Sequence, residues 1–583
     1  MKKKNIIIST IKKLKIILPK NFIISLYFLT FFFFISIFLE MLSIGIVIPF
    51  LGILSGNSSS LILKKFSSYL SIFFGNEYDL INILLFLIFL VFTIKTIFLT
   101  IFSFLQNKIF TNIRLFVTNK LYEVYLFQSY NFFLNKSSSV LIRNISETDL
   151  IAKYVKNLAL LINEILVFIS ITILLLFVVP IPTIFIICII GSVSLFIFKF
   201  SKKNLYFLGK NRMFFFARRL KSLQDTFGLI KEIKIYNRAE NYKYIFNHNN
   251  KQIVKSDFIQ SFIESLPRYW LEWIIIIAIL ILSSVLIFLG KELNFIITIL
   301  GLYALSAYRI LPSIIRITNS FQFIEFNRPS FDLIFNELQQ KYIQDQKTFN
   351  YSKVQIYKSI VIKNLYFSHS SVDKKILNNI NLKINFGESI GIIGESGIGK
   401  TTIINLILGL IKPTSGKILI DDKKNIFDNI NKWQNSIGYV PQNIYLSDDT
   451  IKKNIAFGIP SNRINATLLK KSIVQSNLSK FIKNSRLGVD TPIGEFGSKI
   501  SGGQKQRIGI ARALYNDPKI LILDESTSSL DIQTEKRIIE EVRLFKNKKT
   551  VIIISHRLSS LKYCDSIYEL NSLGLKKIRV QEK

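Results

Sequence analysis

Two cysteines and three histidines among 583 residues narrow the chemistry before any motif is read. Cys188 and Cys564 lie far apart in unlike contexts, neither in metal-ligand nor in redox spacing, so no disulfide framework is expected. His248, His369 and His556 fall in no familiar zinc spacing. Acidic residues are also scarce: 38 Asp and Glu stand against 75 Lys and Arg, a formal net charge of +37. Such a charge invites a nucleic-acid partner, yet no nucleic-acid motif is present and none is expected to bind. Lys, Ile, Asn and Phe are over-used in stretches with no special role. A coding bias toward AT-rich codons explains most of the excess, and basic loops beside a membrane explain the rest. What the chain has in quantity is apolar length. Half of its residues are hydrophobic and its mean hydropathy is +0.37. The long apolar runs fall within the first 320 residues, and the remainder reads as a soluble α/β domain.

Residues 22–39 form an unbroken apolar run with neither charge nor proline, continuing after Glu40. A signal peptide has a shorter apolar core ending at a small-residue cleavage site, so this run is read as a true span. Further spans are expected near 81–105, 157–179, 181–200, 270–289 and 294–316, six in all. The stretches 107–156 and 201–268 are strongly basic. Spans three and four are joined only by a Pro180–Ile181–Pro182 turn, and spans five and six by little more than Gly290–Lys291–Glu292. The positive-inside rule then places the N-terminus, both long loops and the C-terminal half in the cytoplasm. In a bacterium the membrane is the inner one. Residues 61–74 put Ile62, Phe66, Tyr69, Leu70 and Phe73 on one helical face, either an interfacial helix or a helix packed on the span ends. The expected division is a membrane domain over 1–340, a linker over 341–355 and the soluble domain over 356–583.

In the soluble half, a short buried strand over 389–393 runs into Gly394, Glu395, Ser396, Gly397, Ile398, Gly399, Lys400, Thr401 and Thr402. This fits the loop whose backbone N–H groups cradle phosphates while its lysine reaches the terminal ones and its Ser/Thr hydroxyl meets Mg²⁺. A helix opening at Lys400 adds its N-terminal partial charge. One hundred residues on, Ile500–Ser501–Gly502–Gly503–Gln504 starts a helix expected over 504–514, and the apolar strand 520–523 delivers Asp524 and Glu525.

Together these segments resemble the nucleotide-binding cassette of ATP-binding cassette (ABC) proteins. The resemblance implies ATP and Mg²⁺ as ligands. It implies Asp524 as the carboxylate supporting magnesium, Glu525 as the residue polarising the attacking water, Gln442 as the sensor of Mg²⁺ and water, and His556 as the γ-phosphate contact. Asp531 matches the D-loop, and Gly494–Glu495–Phe496–Gly497 stands where exporters carry their X-loop. His369 falls where an aromatic residue usually stacks on adenine, with Tyr366 or Phe367 as alternatives. In the family the Ser501–Gln504 loop completes the site of a second cassette, so a dimer is implied, a homodimer with a heterodimer as the alternative. Ile500 replaces the usual leucine.

Six spans with two long inside loops and a fused cassette resemble the exporter-type half-transporter, in which each long loop turns on a short helix that docks on a cassette. Here these are expected at about 129–140 and 225–236, against the alternative of plain solvated connections. The implied fold is a six-helix membrane domain plus an α/β P-loop ATPase with a helical subdomain. No cysteine-protease domain precedes span one, which counts against a processing-peptide exporter, and six spans exclude a soluble ABC ATPase. Lys95 lies ~22 Å along span two from Leu80 at 1.5 Å per residue. Arg309 lies in span six, Arg316 seven residues on, and Arg268 opens span five. Cations at such depth face a cavity or a partner. The alternatives are snorkelling for Arg268 and Arg316, and ion pairs with Glu40 or Glu272 for Lys95 and Arg309. Four cations suit an anionic, lipid-linked cargo, arginine's fork suiting phosphate in particular. An acidic peptide or organic anion fits too. Residues 307–313, Pro267–Arg268, residues 441–446 and the 61–74 helix resemble PglK-type lipid-linked oligosaccharide flippases. Export of a lipid A precursor, drug or peptide is the alternative.

Overall fold

The computed structural model describes residues 6–46, 50, 77–178, 180–290, 293–340, 353–356, 358–368, 375–525, 540, 548–556 and 561–578. The helix expected over 61–74, His369 and Asp531 lie outside the described residues, as do the side chains of Cys188 and Arg309. The chain divides into two compact units, one of residues 1–128 and 133–342, the other of 129–132 and 343–583.

The first unit is helical: α1 (Ile6–Ile17), α2 (Lys20–Gly45), α3 (Glu77–Leu126), the second half of α4 (Tyr130–Asn135), α5 (Ser138–Val178), α6 (Pro180–Gly228), α7 (Ile230–Ile235), α8 (Ala239–Phe288) and α9 (Leu293–Leu338). Four of the long helices contain a stretch long and apolar enough to cross a membrane among the described residues: 20–43, 82–126, 138–174 and 239–288. The long helices run well past the apolar runs that announce them: residues 106–126 of α3 stay amphipathic and carry neither glycine nor proline, and α9 continues through Pro329. Pro180 and Pro182 do not form the expected turn. They stand in the first turn of α6, where a missing N–H costs nothing. The two stretches expected to turn on short helices contain α4 and α7, six residues each. Along α2 the side chains of Ile24, Tyr27, Phe31, Phe34 and Phe38 form an exposed apolar ridge at helical spacing. Its neighbouring face stacks Phe32 on Phe98 and Phe102 of α3, with ring centroids 5.9 and 5.8 Å apart. A residue facing lipid has no reason to be polar, and this pattern is the inverse of a soluble helix.

The second unit contains β1 (Ser359–Ser368), β2 (Lys375–Asn385), β3 (Ser389–Gly394), α10 (Lys400–Ile407), β4 (Ser415–Ile420), β5 (Lys424–Asn425), α11 (Ile430–Asn435) and β6 (Ile437–Val440). After them come α12 (Ile451–Ile455), α13 (Ala466–Gln475), α14 (Ser479–Asn484), α15 (Gly502–Tyr515), β7 (Ile520–Asp524), β8 (Thr550–Ile554), β9 (Ser566–Asn571) and β10 (Gly574–Ile578). One sheet is antiparallel, in the order β2-β1-β4-β5. The other runs β10-β9-β3-β8-β7-β6 and is parallel except at β10. Strands buried on both faces need unbroken apolar runs, which β7 (ILILD) and β8 (TVIII) supply. Alternate residues serve opposite faces. Ile520, Ile522, Ile552 and Ile554 join the core shared with α10 and the antiparallel sheet, whereas Leu521, Leu523, Val551 and Ile553 join the core shared with α12, α13 and α15. Trp433 of α11, fully buried, donates its indole N–H to the Ile407 carbonyl at 2.7 Å and so fixes the C-terminal end of α10.

Candidate functional site

The C-terminal ends of β3, β7 and β8 lie side by side, so three loops leave the parallel sheet together, the usual place for a ligand in such sheets. From β3 the chain turns through Glu395, Ser396 and Gly397, all exposed, into α10. Gly397 (φ +82°) and Gly399 (φ +112°) hold left-handed conformations that a side chain resists. A Cβ on Gly399 would also stand 3.1 Å from Ile376 and Leu377. Lys400 is buried, and its ammonium donates to the carbonyls of Gly394 and Glu395, both at 2.8 Å. Burial pulls its pKa below the ordinary lysine value, the carboxylates of Glu525 and Asp524 opposing. The ammonium thus caps the loop's own carbonyls, and Ile398 N–H donates within the loop to the Glu395 carbonyl at 3.4 Å.

Asp524 ends β7 buried and accepts from the Tyr439 hydroxyl at 3.3 Å. Burial raises its pKa above the ordinary aspartate value, the Glu525 charge adding to the rise while Tyr439 and Lys400 oppose it. Glu525 follows with φ +44°, a left-handed backbone costing a non-glycine residue about 1 kcal/mol or more. The turn is held by its N–H, which donates to the Ile554 carbonyl at 2.9 Å. It swings the carboxylate between two partners. Gln442 donates to one oxygen through Nε2 at 2.6 Å, and His556 Nε2 stands 2.8 Å from the other. Gln442, Glu525 and His556, 83 and 31 residues apart along the chain, therefore meet at one carboxylate.

Ser501 caps α15 in a reciprocal capping box: its hydroxyl accepts from Gln504 N at 3.3 Å, and its N–H donates to Gln504 Oε1 at 2.9 Å. Gly502 has open space where a Cβ would stand, so the helix N-terminus is open to close approach. Lys505 donates to the Phe496 carbonyl at 3.2 Å, tying this helix to the 494–497 loop. Phe367 is packed in the core, which leaves Tyr366, half-buried, and His369 as the candidates for stacking on a base. Tyr439 escaped sequence reasoning. Only the pairing of β6 with β7 places it opposite Ile522, two residues short of Asp524.

In the helical unit Lys95, Arg268 and Arg316 each face a different acid. Lys95 lies 3.0 Å from the buried Glu40 and donates to the Ser43 hydroxyl at 3.1 Å. Arg268 pairs with Glu272 at 3.0 Å, one turn on. Arg316 turns to Glu164 of α5 at 2.8 Å, and Ser313 donates to the same carboxylate at 2.6 Å. The Lys95–Glu40 pair is one left open from sequence, whereas Glu272 takes Arg268, for which only snorkelling was expected. The Glu164 pair was not foreseen, because nothing in the spacing ties α5 to α9.

Residues 377–528 match the ABC transporter family. Among curated proteins, an "export ATP-binding/permease protein" of Rickettsia prowazekii is 38% identical over 218 residues, 37% of this chain and 38% of that one. A "multidrug export ATP-binding/permease protein" of Staphylococcus aureus is 42% identical over 213 residues, 36% of each chain. The chain thus spans under two-fifths of the length of these relatives. Among solved structures, a bacterial Atm1-family ABC exporter with ATP bound superposes with a TM-score of 0.76 at 19% identity, over 94% of both chains. The chain therefore has the Atm1-type ABC exporter fold, an N-terminal helical membrane domain followed by a C-terminal ABC ATPase domain.

Proposed function

We propose that this chain is an ATP-driven exporter working as a homodimer of six-span half-transporters, its cassettes in the cytoplasm of a bacterial cell and its helices in the inner membrane. The observation that carries the reading is the carboxylate of Glu525 held between Gln442 and His556 beside the Lys400 loop. Phosphoryl transfer to water asks for positioning and charge stabilisation more than for covalent chemistry. The phosphate-loop N–H groups and Lys400 bind the β- and γ-phosphates of ATP, and Glu525 orients and accepts a proton from the attacking water. His556 and Gln442 fix the side chain that does so. The donor set fits magnesium, a hard cation that takes oxygen ligands: the buried carboxylate of Asp524, with Thr401 and Gln442, would hold it. When bound, the ion would neutralise phosphate charge. Ser501, Gly502, Gly503 and Gln504 of one chain close the site of the other, with Asp531 beside them, and His369 or Tyr366 stacks on the adenine.

The cargo we assign is an anionic amphiphile, and within that class a polyprenyl-pyrophosphate-linked glycan. Arg268 and Arg316 support it, since their side chains keep 66% and 40% exposure beside their acids and so leave donors for phosphate. Lys95 and Arg309 complete the set. The experiment is flipping of a polyprenyl-pyrophosphate glycan in proteoliposomes. Wild-type protein flips it on ATP addition. Undiminished flipping by a Lys95→Ala, Arg309→Ala, Arg316→Ala variant would show that these cations do not bind the cargo.

A further inference from the structure

The face of α1 that the rest of the unit leaves uncovered carries two chemistries at once. Thr10, Leu14 and the following Leu18 are buried. On the opposite side Ile8, Ile11 and Ile16 are 53, 36 and 64% exposed, interleaved with exposed Lys12 and Lys15. A helix face turned to water carries polar residues; isoleucines alternating with lysines are the pattern of a helix lying in a bilayer surface. Charge is one-sided here. Residues 1–39 contain seven lysines and no Asp or Glu. Lys13 pairs with Asp332 at 2.6 Å, whereas among the described residues Lys12, Lys15 and Lys20 meet no acid. The ammonium of Lys15 stands 5.6 Å from the Tyr27 ring centroid, and Tyr27 belongs to the exposed apolar ridge that climbs α2 to Phe38. The basic face of α1 is therefore continuous with the first turns of a lipid-facing surface.

We infer that α1 is a headgroup-binding helix whose ligand is anionic phospholipid: Ile8, Ile11 and Ile16 enter the headgroup–acyl boundary and Lys12, Lys15 and Lys20 bind lipid phosphates. The inference rests on the membrane reading of the helical unit and adds a lipid preference to it. Each lysine near an anionic surface strengthens attachment roughly fivefold, so the three together contribute on the order of 100-fold at low salt. The effect fades as salt shortens the range of the charges, to about 3 Å at 1 M.

The test is amide hydrogen exchange of the full chain in nanodiscs, made of phosphatidylcholine alone or with phosphatidylglycerol. Residues 8–17 are expected to exchange at least ~10-fold more slowly with the anionic lipid at low salt, the difference collapsing at 1 M salt. Lys12→Gln/Lys15→Gln/Lys20→Gln removes the difference, and the matching triple Lys→Arg variant keeps it. Equal exchange in the two lipids overturns the inference, as does a difference that survives in the Gln variant. Residues 271–286 of α8 serve as reference. If they too exchange freely in nanodiscs, the membrane reading fails; if they are protected while 8–17 ignores lipid charge, only the role of α1 fails.

Discussion

Replacing Glu525 by glutamine exchanges one oxygen for an NH₂ group without changing the side chain's size. In the structure that carboxylate accepts from Gln442 at 2.6 Å and faces His556 Nε2 at 2.8 Å. An amide has a single acceptor oxygen, so one of the two partners meets a donor instead. The lost hydrogen bond costs about 1 kcal/mol, shared between a reorganised His556 and a freed Gln442. The larger loss is chemical, because the amide cannot take a proton from water. Removing a positioned general base lowers rates by ~10²–10⁴-fold, or about 3–5 kcal/mol of barrier. The contacts of Lys400 and the phosphate loop are untouched, so nucleotide affinity should stay within about tenfold of wild type. Phosphate release by the purified full chain, measured beside binding of a fluorescent ATP analogue, separates the two effects. A variant that turns over within a few-fold of wild type would refute the role given to Glu525. Gln442→Ala and His556→Ala should each lose part of the rate, and neither should add fully to Glu525→Gln, since all three act through one carboxylate.

Other outcomes follow from burial. Asp524 titrates above the ordinary aspartate value because it is buried, and protons compete with magnesium for it. Apparent Mg²⁺ affinity should therefore fall with decreasing pH from a higher pH than a free aspartate would give. Affinity constant down to pH 4 would contradict the assignment, and Asp524→Asn should abolish the dependence. Burial pushes the Cys564 thiol up to about 12, so the thiolate that alkylating reagents need is almost absent at pH 8. Mass spectrometry of iodoacetamide-treated protein should find Cys564 labelled only after denaturation; rapid native labelling would contradict the packing around it. Glu164→Ala removes the buried carboxylate shared by Arg316 and Ser313; with Arg316 still 40% exposed, the loss is that of a charged hydrogen bond, about 1.5–3 kcal/mol. It should lower the melting temperature in detergent more than Glu272→Ala, whose partner Arg268 is exposed.

The cassette was the more legible half because its chemistry is written in contiguous residues. A strand, a glycine loop and a helix start appear in order from Ser389 to Lys400, and the ILIL run before Asp524 allows only a strand buried on both faces. The membrane half announced its helices through apolar runs. It did not announce where they stop, since residues 106–126 continue α3 as an ordinary amphipathic helix. What stayed hidden are contacts set by pairing and packing. Tyr439 reaches Asp524 only through the β6–β7 register, and Glu164 reaches Arg316 only because α5 packs on α9. The two prolines at 180 and 182 misled in a specific way, because proline breaks a helix interior but is welcome in a first turn.

The claim on which the account turns is that Ser501 of one chain completes the phosphate-loop site of another. With Cys188 and Cys564 replaced by serine, a chain carrying Ser396→Cys and Ser501→Cys should form a disulfide-linked dimer under mild oxidation. Combined with Glu525→Gln, the dimer should accumulate on ATP addition and remain scarce without nucleotide. A yield indifferent to ATP, or cross-linking only within single chains, would contradict the paired-site account.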